Sequence, residues 1–271
     1  MTKNNRYVLQ ACAKYLRILN CAYKQLRELP DLPQVRELNC TQNLLRELPA
    51  LPKVVVLNCA DNYLVQLPCL PNVKELDCSE NSIEQLPCLP EVIKVLCLRN
   101  CLEDLPNLPQ VKELGCAKNK LTYLQSLPQV ECLFCSENSL TQLPDLPNVV
   151  ELDCSFNQLH KLPDLSKVIL LWCSSNQLVQ LPDLPKVMEL YCTNNQLHEL
   201  PALPEVVELA CSFNHLCKLP DLPKVMYLWC ENNQLRYLPD LPEVTMLRCI
   251  DNELVQLPSL PKVVELSGIE F

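Results

Sequence analysis

Thirteen cysteines recur at one fixed interval: Cys21, Cys40, Cys59, Cys78, Cys97, Cys116, Cys135, Cys154, Cys173, Cys192, Cys211, Cys230 and Cys249 each stand nineteen residues from the next, with no insertion or deletion. From Asn43 to Asn252 an asparagine follows each of these cysteines by three residues. A gapless short period commits a chain to stacked units, because one unit cannot bury its own apolar face and its neighbours must cover it. The 271 residues therefore read as one elongated repeat solenoid. Residues 16–271 supply thirteen units of nineteen residues plus a partial one, and residues 1–15 form an amino-terminal cap.

One unit shows how the coil must run. In the segment around Leu38 and Cys40 the apolar spacing is two, so these side chains share a face while Glu37 and Asn39 point the other way, as in a short strand. After Asn43 the spacing becomes three, through Leu45, Leu48, Leu51 and Val54. All 24 prolines fall in two columns of this second half, and only Gln125 and Ser166 break the pattern. Proline at that density excludes an α-helix and predicts an extended, polyproline II or 3₁₀ path. The proline-free half is expected to stack into one parallel β-sheet, and the asparagine column to satisfy backbone groups where the chain leaves each strand. Val8, Cys12, Tyr15 and Leu19 lie at helical spacing, which predicts a short amino-terminal capping helix over residues 5–15. The chain stops eight residues into a new unit at Phe271, so an uncovered strand edge is expected there, a route to a homodimer.

The regular cysteine column, preceded two residues earlier by leucine in nearly every unit, reads as core, since free cysteine packs as a small hydrophobe. Such a stack of thiols fits a reducing, cytoplasmic compartment. The opening MTKNNRYVLQ lacks an apolar signal core, and no apolar run nears the roughly 18 residues a membrane span requires. A net charge of −9 opposes nucleic acid. With only Gly115 and Gly268 no phosphate-binding loop can be built, so no cofactor is expected. His160, His198 and His215 fall in different repeats, and a straight ladder of thiols does not converge on a metal, so neither a catalytic constellation nor a metal site is expected. Outside the ladder lie Cys12, Cys69, Cys88, Cys101, Cys132 and Cys217; Cys69 and Cys88 share a column in adjacent units and form the pair most prone to oxidation.

The segment VRELNCTQNLL, Val35 to Leu45, resembles the leucine-rich repeat pattern LxxLxLxxNxL, and the LPxLP tail resembles the short bacterial subtype of YopM-like and IpaH-like effectors and related giant-virus repeats. The resemblance covers residues 16–271 and implies a parallel sheet on a concave face, with the proline segments on the convex side. It also implies a pathogen or viral effector acting in a host cytosol. The departures are a nineteen-residue unit, cysteine in place of an aliphatic residue, and no attached enzymatic domain. Cys59-Ala60-Asp61 and Cys249-Ile250-Asp251 match the Cys-x-Asp pattern of IpaH-type ligases, but both cysteines belong to the core column, so no ligase activity is expected.

Outward strand positions carry no packing duty, and their composition points to function. The column just before each ladder cysteine changes from polar to aromatic along the chain, through Phe134, Trp172, Tyr191 and Trp229. Met188, Met226, Met246 and Tyr227 occupy neighbouring positions, and Phe156 and Phe213 sit at strand exits. Glu151, Glu189 and Glu208 lie beside the rings. Rings and methionines on an exposed face are what protein interfaces enrich. This face predicts a non-enzymatic protein-interaction module whose partner combines apolar anchors with lysine or arginine. Lateral packing of the rings on one another is the simpler reading, and a self-assembling structural protein is the alternative function.

Overall fold

In the computed structural model, residues 15–267 are described. They fall into two compact units, divided between Val130 and Glu131. Each is a stack of nineteen-residue coils, and every coil contributes one three-residue strand. The first unit carries β1 (Ile18–Asn20), β2 (Glu37–Asn39), β3 (Val56–Asn58), β4 (Glu75–Asp77), β5 (Lys94–Leu96) and β6 (Glu113–Gly115). The second carries β7 (Cys132–Phe134), β8 (Glu151–Asp153), β9 (Leu170–Trp172), β10 (Glu189–Tyr191), β11 (Glu208–Ala210), β12 (Tyr227–Trp229), β13 (Met246–Arg248) and β14 (Glu265–Ser267). Within each unit neighbouring strands pair in parallel and without slip, Glu75 with Lys94 in one and Glu189 with Glu208 in the other. Identical side chains therefore stack in columns.

Inward go the columns of Val149, Leu152, Cys154, Leu159 and Leu165, almost wholly buried. The ladder thiols are among the best protected atoms, closed to solvent at Cys40, Cys116 and Cys211 alike. Asn157 shows what the turn off each strand needs. Its Nδ2 donates to the carbonyls of Cys135 (3.0 Å), Cys154 (3.1 Å) and Ser155 (3.2 Å), and its Oδ1 accepts from the Leu140 amide at 2.9 Å. One side chain thus satisfies backbone groups of its own coil and of the preceding one. Asn62 does the same in the first unit. No buried side-chain polar atom among the described residues lacks a partner.

The proline half is extended but not a 3₁₀ helix. Each coil closes a single turn, with the Val54 amide donating to the Leu51 carbonyl at 3.3 Å and Val206 to Leu203 at 3.4 Å. The second proline of each LPxLP thus takes the second position of a turn, where its fixed φ is an advantage. The two exceptions use the polar atoms that proline lacks: the Ser166 amide donates to Asp164 Oδ1 at 3.0 Å, and Gln125 Nε2 donates to the Leu105 carbonyl at 3.1 Å. No helix occurs among the described residues. The capping helix expected over residues 5–15 lies outside them except for Tyr15, which stands in a turn.

Candidate interaction face

The outward columns of the second unit hold every residue expected to meet a partner. The middle residue of each strand points inward, as Leu152 and Leu171 do, so the flanking two face out. On the downstream side stand Phe134, Trp172, Tyr191 and Trp229, each half-buried. Trp172 and Tyr191 lie on paired strands with ring centroids 6.4 Å apart and planes tilted by 31°. Tyr227 and Trp229 lie two apart on β12, stacked at 6.3 Å and 15°. The rings do pack laterally, as the simpler reading supposes, and still keep part of their surface open. Phe134 stands apart, with Asp153 between it and Trp172 along the column.

On the upstream side of the strands the column runs Glu151, Leu170, Glu189, Glu208, Tyr227, Met246. Glu189 and Glu208 face each other in register, and like charges in that position repel. The Tyr191 hydroxyl donates to Glu208. Burial, that hydrogen bond and the nearby carboxylates push the Tyr191 phenol above its ordinary range, so it stays a donor.

Sequence reasoning picked Met188 and Met226 from the column that precedes the strands and passed over what lies between and before them. In the structure Val150, Ile169, Met188, Val207 and Met226 form one unbroken apolar stripe, each amide donating to the preceding member's carbonyl at 2.8 or 2.9 Å. Four of the five are exposed, Met188 by 46%, and Val207 is half-buried. The signal was present: the same column in the first unit reads Arg17, Arg36, Val55, Lys74, Ile93, Lys112 and is mostly basic.

Phe156 and Phe213 mark the opposite rim and carry two separate costs. The second residue after every ladder cysteine from Cys21 to Cys249 has positive φ, among them Phe156 at 54° and Phe213 at 56°. A bulky side chain there is strained by roughly 1–2 kcal/mol. Both rings are also more than half exposed, at 58% and 55%. Neither backbone geometry nor packing explains phenylalanine at these positions.

Other reactive groups are disposed as follows. Burial pushes the thiols of Cys116 and Cys192 up to about 12 and that of Cys21 to about 11. Cys59 rises well above the ordinary thiol value by burial and by its ladder neighbours, and Cys249 rises by burial and by Glu231. The two Cys-x-Asp thiols are therefore held protonated inside the stack, the reverse of what a nucleophile needs. Cys69, Cys88 and Cys217 are exposed and free. His198 and His215 come within 5.5 Å between ring centroids, a proximity the repeat numbering hid because they sit at different offsets within their coils. Both are exposed, and no trio of histidine, cysteine or carboxylate groups among the described residues converges on a metal.

No protein-family model matches the chain, and neither does any curated protein. Solved structures do. The chain is 30% identical to YopM from Yersinia enterocolitica over 96% of this chain and 75% of that one, with a TM-score of 0.63. YopM of Yersinia pestis, described as a leucine-rich effector protein, is likewise 30% identical, covering 90% and 89% at a TM-score of 0.56. The functional domain of InlJ from Listeria monocytogenes, described as including a cysteine ladder, is 23% identical over 91% and 70%, with a TM-score of 0.61, and shares the fold.

Proposed function

The chain belongs to the leucine-rich repeat family, with YopM among its relatives, and we propose on that footing that it is a non-enzymatic protein-binding module whose partner docks on the outward sheet face of residues 131–267. The observation that carries this reading is the placement of Phe156 and Phe213. Both are strained and exposed on one rim, with half-buried Trp172, Tyr191 and Trp229 between them and the apolar rim opposite. Folding alone does not call for phenylalanine at either rim position, whereas an interface accounts for it through desolvated aromatic anchors. The first unit lacks the pattern: its outward columns are mostly charged or amide residues, as in the Lys94–Glu113 ion pair at 2.7 Å.

The effector role of YopM extends to this chain as part of the proposal, with a host cytosol as the compartment. The free, buried thiols support a reducing environment, since exposure of a thiol column to oxidant during folding would mispair it. The test uses the intact chain and a Trp172→Ala, Trp229→Ala variant as paired baits for cytosolic protein, with thermal unfolding measured on both. The expected outcome is a partner captured by the first and lost by the second, with the two melting within a few degrees. Equal loss of folding and of capture assigns the indoles to stability and removes the interface.

A further inference from the structure

Resting on that docking face, we propose that the occupant is a basic amphipathic α-helix of the partner, laid across the strands along the stripe from Val150 to Met226. The backbone requirement comes first. Strands β8 to β13 are paired on both sides, so the face offers side chains only and no free amide or carbonyl for a partner to join as an added strand. A segment that covers five apolar side chains loses water from its own backbone and must satisfy those groups internally. A helix does this.

The dimensions agree. Successive strands lie about 4.8 Å apart, close to the 5.4 Å pitch of a helix, so apolar residues at i, i+4, i+7 and i+11 meet successive members of the stripe. Four intervals span about 19 Å, or roughly 13 helical residues. Charge sets the chemistry of the flank. Directly downstream of the stripe stand Glu151, Glu189 and Glu208, and no lysine or arginine occurs in the three outward columns between Phe134 and Arg248. A helix about 10 Å across, seated on the stripe, overlies these carboxylates and reaches the rings of Trp172 and Tyr191 on its far side. Its apolar edge therefore needs lysine or arginine beside it.

Trp172 and Trp229 are the two tryptophans of the chain, so the face reports its own occupancy by fluorescence. The probes are three capped eighteen-residue peptides: leucine and lysine in amphipathic helical order, the same composition scrambled, and the ordered peptide with glutamate for lysine. The expected result is saturable binding of the ordered lysine peptide at least tenfold tighter than either control, with gain of peptide helicity by circular dichroism. Met188→Gln with Met226→Gln should weaken it about tenfold while leaving the thermal transition in place. Glu189→Gln should weaken it and flatten its salt dependence. Equal binding of all three peptides, an ordered peptide that binds without becoming helical, or no binding at all overturns the helix. Loss of protein capture in the double tryptophan variant is read independently, so a failed peptide leaves the docking face itself standing.

Discussion

At the scale of single residues, the left-handed column sets the terms. Glycine and asparagine usually mark positive φ, yet this column holds Gln42, Glu80, Arg99 and Phe213 as readily as Asn194 and Asn232. The strain is tolerated because the stacked hydrogen bonds over-determine the turn: the Phe213 amide donates to the Glu231 carbonyl at 2.9 Å in the next coil. Phe213→Asn relieves strain without adding the unfolded-state freedom of glycine. It should raise stability to urea by about 0.5–1 kcal/mol and, if the ring serves the interface, weaken partner capture at the same time. A variant that loses both stability and capture would instead place the ring in the fold. This column was illegible in the sequence, because its residue types give no sign of the backbone they adopt.

At the scale of the coil, strand, asparagine turn and proline return were all readable, because thirteen copies average out local ambiguity and leave only the spacing. Leu38 and Cys40 face inward, as period two requires, and the prolines avoid every strand. What escaped was the stripe. Val150, Ile169 and Val207 lie one residue ahead of the three-residue strands, where valine and isoleucine look like ordinary strand formers, and only the methionines stood out. The His198 and His215 pair escaped because contact between coils joins different offsets. The coil also carries a vacancy in its own rule at Ser166, the second position of a turn that holds proline in every other complete coil. Ser166→Pro removes an exposed amide bond to Asp164 and restricts the unfolded chain. The net expectation is a gain of about 0.4–1 kcal/mol, read as a rise in melting temperature of about 1–3 °C. A fall in melting temperature would show that this turn departs from its neighbours.

Across the whole molecule the buried thiols act together on pH dependence. An unfolded thiol ionises near pH 8.5–9, whereas burial holds Cys116 and Cys192 protonated to about 12. A folded value raised above the unfolded one means full stability well below the unfolded thiol value and progressive loss as pH rises through it, because the unfolded chain releases protons that the folded chain retains. Each such thiol contributes a slope of about 1.4 kcal/mol per pH unit, and twelve ladder thiols carry raised values. Thermal melts followed by circular dichroism should be flat from about pH 6 to 7.5 and fall steeply above about 8.5. A profile that stays level to pH 11 would show that the thiols are not buried as described.

Within each unit Asn62, Asn100, Asn157 and Asn233 grip their own coil and the one before it by the same four bonds. Removing or duplicating one whole coil inside a unit recreates the same joint, with strand, asparagine and return in register. A chain altered by whole coils keeps that grip, and each such step redraws the outer columns without asking the interior to repack.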